Sequence, residues 1–140
     1  MAEYIANAIQ EIAVNQNILF TETPVCGNNS IVHREGSGII TLRGITSQCR
    51  ARFKVTFGGN ITIPSGGTVG PISITIAING EPVSSTSMIV TPAAVGQFFN
   101  VARSIYIDVP SGCCSQVSIR NTSTQSINVQ NSNLIVERVA

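Results

Sequence analysis

Charge is scarce in this chain of 140 residues: Lys, Arg, Asp and Glu together make up 11%, well below the usual quarter. Trp is absent, Tyr occurs twice and His once, so few groups can hold or move a proton near neutral pH. The eight basic residues are scattered from Arg34 to Arg138, and the net charge is +1. That excludes the continuous electropositive face on which nucleic acid binding depends. No stretch approaches the roughly 20 apolar residues of a membrane span. The first residues lack the basic start and apolar run of a secretory signal, so synthesis in a cytoplasm without a signal peptide is expected. Neither a membrane nor a nucleic acid is expected as a partner.

What is present is a hydrophobic share of 43% among abundant Ser, Thr, Asn and Gln. This length suits one domain with a real core, and the nearly neutral surface repels its own copies weakly, which favours self-association. From about residue 16 onward, apolar and polar side chains alternate with a period of two, broken by Gly, Pro and Asn clusters. In Arg50–Phe57 the residues Ala51, Phe53, Val55 and Phe57 share one face, and Arg50, Arg52, Lys54 and Thr56 the other. Ile72, Ile74, Ile76 and Ile78 repeat the pattern, and Asn79-Gly80 then supplies a tight hairpin turn into Val83–Val90. Further strands are expected at Asn17–Glu22, Ser30–Arg34, Gly38–Ile45, Phe98–Val109, Gln116–Asn121, Ile127–Gln130 and Leu134–Val139. Gly27-Asn28-Asn29, Gly36-Ser37-Gly38, Gly58-Gly59-Asn60, Pro64–Gly67 and Pro110-Ser111-Gly112 read as turns. The result is an all-β, eight- to ten-stranded antiparallel fold over residues 15–140, a double-sheet sandwich or jelly roll.

Residues 1–14 read differently, because Ile5, Ile9 and Ile12 share one helical face among good helix formers. The spacing predicts a short N-terminal arm or helix, either fraying or docked on a neighbouring subunit or a scaffold. Asn28, Asn60 and Asn121 match the glycosylation triplet and read as polar loop residues.

No catalytic, cofactor-binding or metal-binding constellation emerges, and an enzyme is not expected. His33, flanked by Arg34 and Glu35, has no nucleophile at a telling spacing and reads as an ordinary surface or interface residue. Arg50 and Arg52 read as a solvated or subunit-facing strand surface. The cysteines at 26, 49, 113 and 114 lack C-x-x-C spacing, so zinc is disfavoured, and adjacent cysteines rarely bond to each other. Cys49 beside Arg50 reads as a buried, inert thiol.

Three segments carry a family resemblance. Asn15-Gln-Asn-Ile-Leu-Phe20, Pro71–Val83, and Asp108–Gly112 with Val117–Thr122 and Asn131–Ala140 resemble the strands of the jelly-roll domains at the C-termini of bacterial collagen-like spore-surface (exosporium) proteins. Those are relatives of the tumour necrosis factor and complement globular-head fold. The resemblance implies a compact homotrimer, self-assembling on a spore surface or appendage. A virion component, such as a capsid decoration or fibre head, and a glycan- or receptor-binding head are the alternatives. No Gly-X-Y collagen tract is present, so attachment to a scaffold or shell protein falls to residues 1–13. The turn before Cys113-Cys114 should expose both thiols at one end of the sandwich, within reach of Cys26 on the same or the next copy. A disulfide there, formed once the assembly leaves a reducing cytoplasm, is expected.

Overall fold

Twelve strands form in the computed structural model, which describes residues 1–27 and 29–140. The central residue of the expected Gly27-Asn28-Asn29 turn, also the first glycosylation triplet, lies outside the described residues. The strands are β1 (Ala2–Ala6), β2 (Gln10–Ile12), β3 (Glu22–Val25), β4 (Ile31–His33), β5 (Ile40–Arg43) and β6 (Arg50–Thr62). They continue as β7 (Ile72–Ile78), β8 (Glu81–Pro82), β9 (Met88–Val90), β10 (Phe99–Pro110), β11 (Cys114–Asn121) and β12 (Ile127–Arg138). The first sheet runs β10-β6-β12-β1-β3, with β2 also on β12. The second runs β4-β5-β11-β7-β8, with β9 also on β7. All pairings are antiparallel, and the two sheets stack as the jelly-roll sandwich that the alternation predicts.

The core lies where alternate residues of both sheets meet. Phe20, Phe53, Phe57, Ile40, Leu42, Ile61, Ile74, Ile76, Ile119, Leu134 and Val136 are fully buried there. Every apolar residue assigned to the inner face of Arg50–Phe57 is among the buried ones. The Asn79-Gly80 turn forms with both residues at positive φ, 53° and 83°, as a tight hairpin requires.

Four expectations are corrected. Residues 2–6 and 10–12 are strands, not a helix: Ala2, Tyr4 and Ala6 are buried on one face of β1, a period of two that tertiary pairing with β12 enforces over helix propensity. Gly58-Gly59 is not a turn, because β6 runs straight through it. A Cβ on Gly59 would stand 3.1 Å from Phe57 Cζ, so the glycine makes room for that ring within the strand. Asn131 at φ 56° marks a bulge and not a break, so Ile127–Gln130 and Leu134–Val139 merge into the one strand β12. Over the segment expected as Val83–Val90, β8 and β9 are instead separated by a 3-10 turn at Ser84–Thr86.

Two glycosylation triplets are also better explained inside the fold than as loops. Asn60 sits in β6, where its Oδ1 accepts from Asn100 Nδ2. Asn121 ends β11 fully buried, donating through Nδ2 to the carbonyls of Ile12 (2.9 Å) and Gln125 (3.0 Å) and accepting at Oδ1 from the Ser123 amide (2.9 Å). It ties the end of β2 to the turn before β12. Replacing Asn121 with Ala should destabilise the fold by about 2–3 kcal/mol, since two carbonyls and an amide lose their partner. Urea unfolding measures this, and a change below about 0.5 kcal/mol would rule out that role.

Candidate functional site

The outer face of the first sheet is the broadest regular surface, and the strand register lays it out in rows. Nearest the start of β6, Arg52 pairs with Asp108, then Lys54 lies between Tyr106 and Glu137. The middle rows are Ser104, Thr56, Ile135 and Glu3, then Ala102, Gly58, Asn133 and Ile5. Asn100, Asn60 and Gln130 complete the far side. The centre is therefore small, flat and almost uncharged. Its one carboxylate, Glu3, accepts a hydrogen bond from Asn133 Nδ2. Ile5 and Ile135 stay half-exposed there without a partner in their own chain's core.

At the charged margin, Arg52 Nε donates to Asp108 Oδ1 at 2.7 Å and Nη2 to Oδ2 at 3.1 Å, a forked pair, and Arg50 Nε reaches Oδ2 at 3.0 Å. The hydrogen bond from Arg52 holds the Asp108 carboxyl below the ordinary carboxylate range, and the same bond raises the Arg52 guanidinium. The two arginines expected at an interface are thus already engaged with one carboxylate. Tyr106, 64% exposed, stands beside them.

His33 is elsewhere and is turned inward. Its Nε2–H donates to the Ser37 carbonyl at 2.8 Å, and its ring lies 4.5 Å from the Tyr4 ring and 6.4 Å from that of Phe20. It secures the turn between β4 and β5 with its ring half-buried against Tyr4. Burial pushes the neighbouring Tyr4 hydroxyl up, with the Cys26 thiol adding to the effect. Of the apolar arm residues, Ile5 faces outward, Ile9 is exposed in the loop between β1 and β2, and Ile12 belongs to the chain's own core.

All four cysteines are free and exposed, Cys49 included, contrary to its expected burial. They gather at one end of the sandwich. The loops after β5 and β10 are tied there by backbone bonds from Gly44 N to Cys113 O (2.8 Å), Gly112 N to Gly44 O (3.0 Å) and Ser111 N to Cys49 O (3.0 Å). Cys26 follows β3 at the side of the same end. The first and last strands meet at this end as well, where Ala2 pairs with Val136. β11, which begins at Cys114, lies two strand spacings in from β4, about 10 Å.

Solved structures now place this architecture. The globular domain of zebrafish complement 1qA superposes with a TM-score of 0.63, covering 96% of this chain and 94% of that one at 11% identity. The fold is that of complement and tumour necrosis factor heads. Murine APRIL matches this complement-type jelly roll at a TM-score of 0.58 and 5% identity, covering 95% and 97% of the two chains. No protein-family model and no curated protein matches the sequence.

The sequence reading reached Arg50, Arg52 and Ile5 on the sheet face but passed over Tyr106 and Asp108. Their alternation with Ile105, Ile107 and Val109 was the available signal. A carboxyl held low in the folded state adds stability above its unfolded pKa and loses it as pH falls through the folded value. Below about pH 4, therefore, the melting temperature of the wild-type chain should fall more steeply than that of Asp108→Asn. Parallel melting curves from pH 5 downward would refute the pairing.

Proposed function

We propose that the chain is a self-assembling structural unit whose copies pack through the outer face of the first sheet into a homotrimer. The flat, nearly uncharged centre of that face carries the reading. Ser104, Thr56, Ala102 and Gly58 let another backbone approach closely, while Ile5 and Ile135 supply apolar surface that folding leaves unused. Covering such a centre removes little hydration from charged groups, whereas the Arg50–Arg52–Asp108 cluster lies at the margin, where solvent remains. The jelly roll shared with complement and tumour necrosis factor heads, and the sequence resemblance to collagen-like spore-surface proteins, support a trimer on a spore surface or appendage. A structural role, not an enzymatic one, fits these supports. Residues 1–14 then act as part of the sheet that assembles, with Ile5 on the contact surface and Ile9 free for a scaffold.

Light scattering at micromolar concentration should give a mass of about three times 14.8 kDa. Ala102 is exposed in a middle row of the face, on strand β10, so Ala102→Arg should shift the population to monomer with its circular dichroism unchanged. A wild-type monomer, or a trimer indifferent to Ala102→Arg, would overturn the reading.

The thiol end supports a lock on such an assembly. The expected disulfide, open in the sequence to the same or the next copy, is proposed to join Cys26 of one copy to Cys113 or Cys114 of another. Air oxidation forms it, two thiols giving up two electrons and two protons to oxygen, and intersubunit closure resists dissociation. Non-reducing denaturing electrophoresis of oxidised assemblies should show dimers and larger species that reductant collapses and that Cys26→Ser removes. Monomer bands alone, with four titratable thiols, would eliminate the lock.

A further inference from the structure

Away from the thiol end, the loop before β7, the start of β7, Ile89 of β9 and the turn 122–125 enclose a cleft of about 570 Å³. This falls in the range of about 300–1,000 Å³ typical of small-molecule sites. None of its eleven lining residues is ionisable. The clefts beside Tyr106 and beside His33, by contrast, contain Arg52 with Asp108 and Glu35 with Arg43.

Of the cleft's hydroxyls, Ser73 and Thr122 belong to a hydrogen-bonded chain that continues beyond the lining residues to Thr75 and Ser87. Ser73 Oγ lies 2.8 Å from Thr122 Oγ1, which lies 3.0 Å from Thr75 Oγ1, itself 3.3 Å from Ser87 Oγ. Ser123 Oγ accepts from the Ser73 amide and donates to the Ser73 carbonyl. Across the mouth, Gln125 donates to the Thr68 carbonyl at 2.7 Å and accepts from the Thr68 amide at 2.9 Å, clamping two loops together. The polar groups are therefore held in place before any ligand arrives, and each hydroxyl keeps lone-pair capacity beyond the bonds it makes. Val69 and Ile89, 51% and 65% exposed, stand at the rim as aliphatic surface that the core does not use.

This chemistry selects its ligand class. An anion or cation would lose hydration without gaining a counter-charge, and a purely apolar molecule would strip water from the remaining lone pairs of Ser73 and Thr122 without replacing it. A molecule with hydroxyls at its edge and a C–H face for Val69 and Ile89 satisfies both requirements. We propose that this cleft binds a neutral saccharide, using aliphatic walls in place of aromatic stacking. The site is separate from the sheet face proposed for assembly, and neither reading depends on the other.

The test is an amide chemical-shift titration of the full chain with lactose, maltose and chitobiose, and with sialyllactose as the charged control. At least one neutral disaccharide should give saturable shifts at Val69–Ser73, Ile89 and Thr122–Gln125, with sialyllactose binding more weakly. Gly70 lines the cleft and a Cβ there would meet no atom within 4 Å, so Gly70→Arg fills the space without straining the fold. Gly70→Arg and the exposed-rim variant Ile89→Ser should each weaken binding by about tenfold or more while leaving light scattering unchanged. Absence of saturable shifts, shifts confined elsewhere, equal or tighter binding of sialyllactose, or undiminished binding by both variants would overturn the proposal.

Discussion

The first sheet exists because β12 holds its two halves together. On one side β12 pairs with β6 through most of its length, and on the other with β1 and β2, while β10 and β3 attach only through those neighbours. Its inward residues Ile127, Val129, Leu134 and Val136 are all fully buried. The bulge at Asn131 shifts the register once, so that a single strand can match β2 before it and β1 after it. Such a long-range closure forms late in the chain, and the N-terminal strands have no sheet to join until it does.

Low charge takes on a spatial meaning in this frame. The few ionised groups of the first sheet lie mainly toward the margin occupied by Arg50, Arg52, Lys54, Asp108 and Glu137, leaving the centre to small neutral side chains. The edge strand β10 also carries Arg103 on its inward side, where it remains exposed. A charge in that position discourages another strand from adding to the edge, so face-to-face packing is favoured over open-ended sheet growth.

Much of the fold was legible because alternation survives in strands with one wet face. β6, β7 and the Asn79-Gly80 hairpin could be read from local pattern alone. The N-terminal strands could not: Ala2, Tyr4 and Ala6 owe their extended form to β12, more than 120 positions away, while Ile5, Ile9 and Ile12 mimic a helical stripe. Gly58-Gly59 misleads because the glycine that looks like a turn makes room for the Phe57 ring of its own strand. Of the candidate sites, the arginine face was visible as a strand pattern. The hydroxyl-lined cleft draws on segments near residues 70, 89 and 123, whose proximity only the folded chain reveals.

The antiparallel pairing of Ala2 with Val136 places the beginning and end of the described chain on adjacent strands, about 5 Å apart in the sheet. Topologically the jelly roll is therefore nearly a closed ring. A connector of a few residues could join Met1 to Ala140, and the chain could be reopened at the exposed Asn79-Gly80 turn with the inner faces of both sheets unchanged. Cargo fused at residue 1 or at residue 140 would emerge from the same pole, leaving the opposite pole unobstructed.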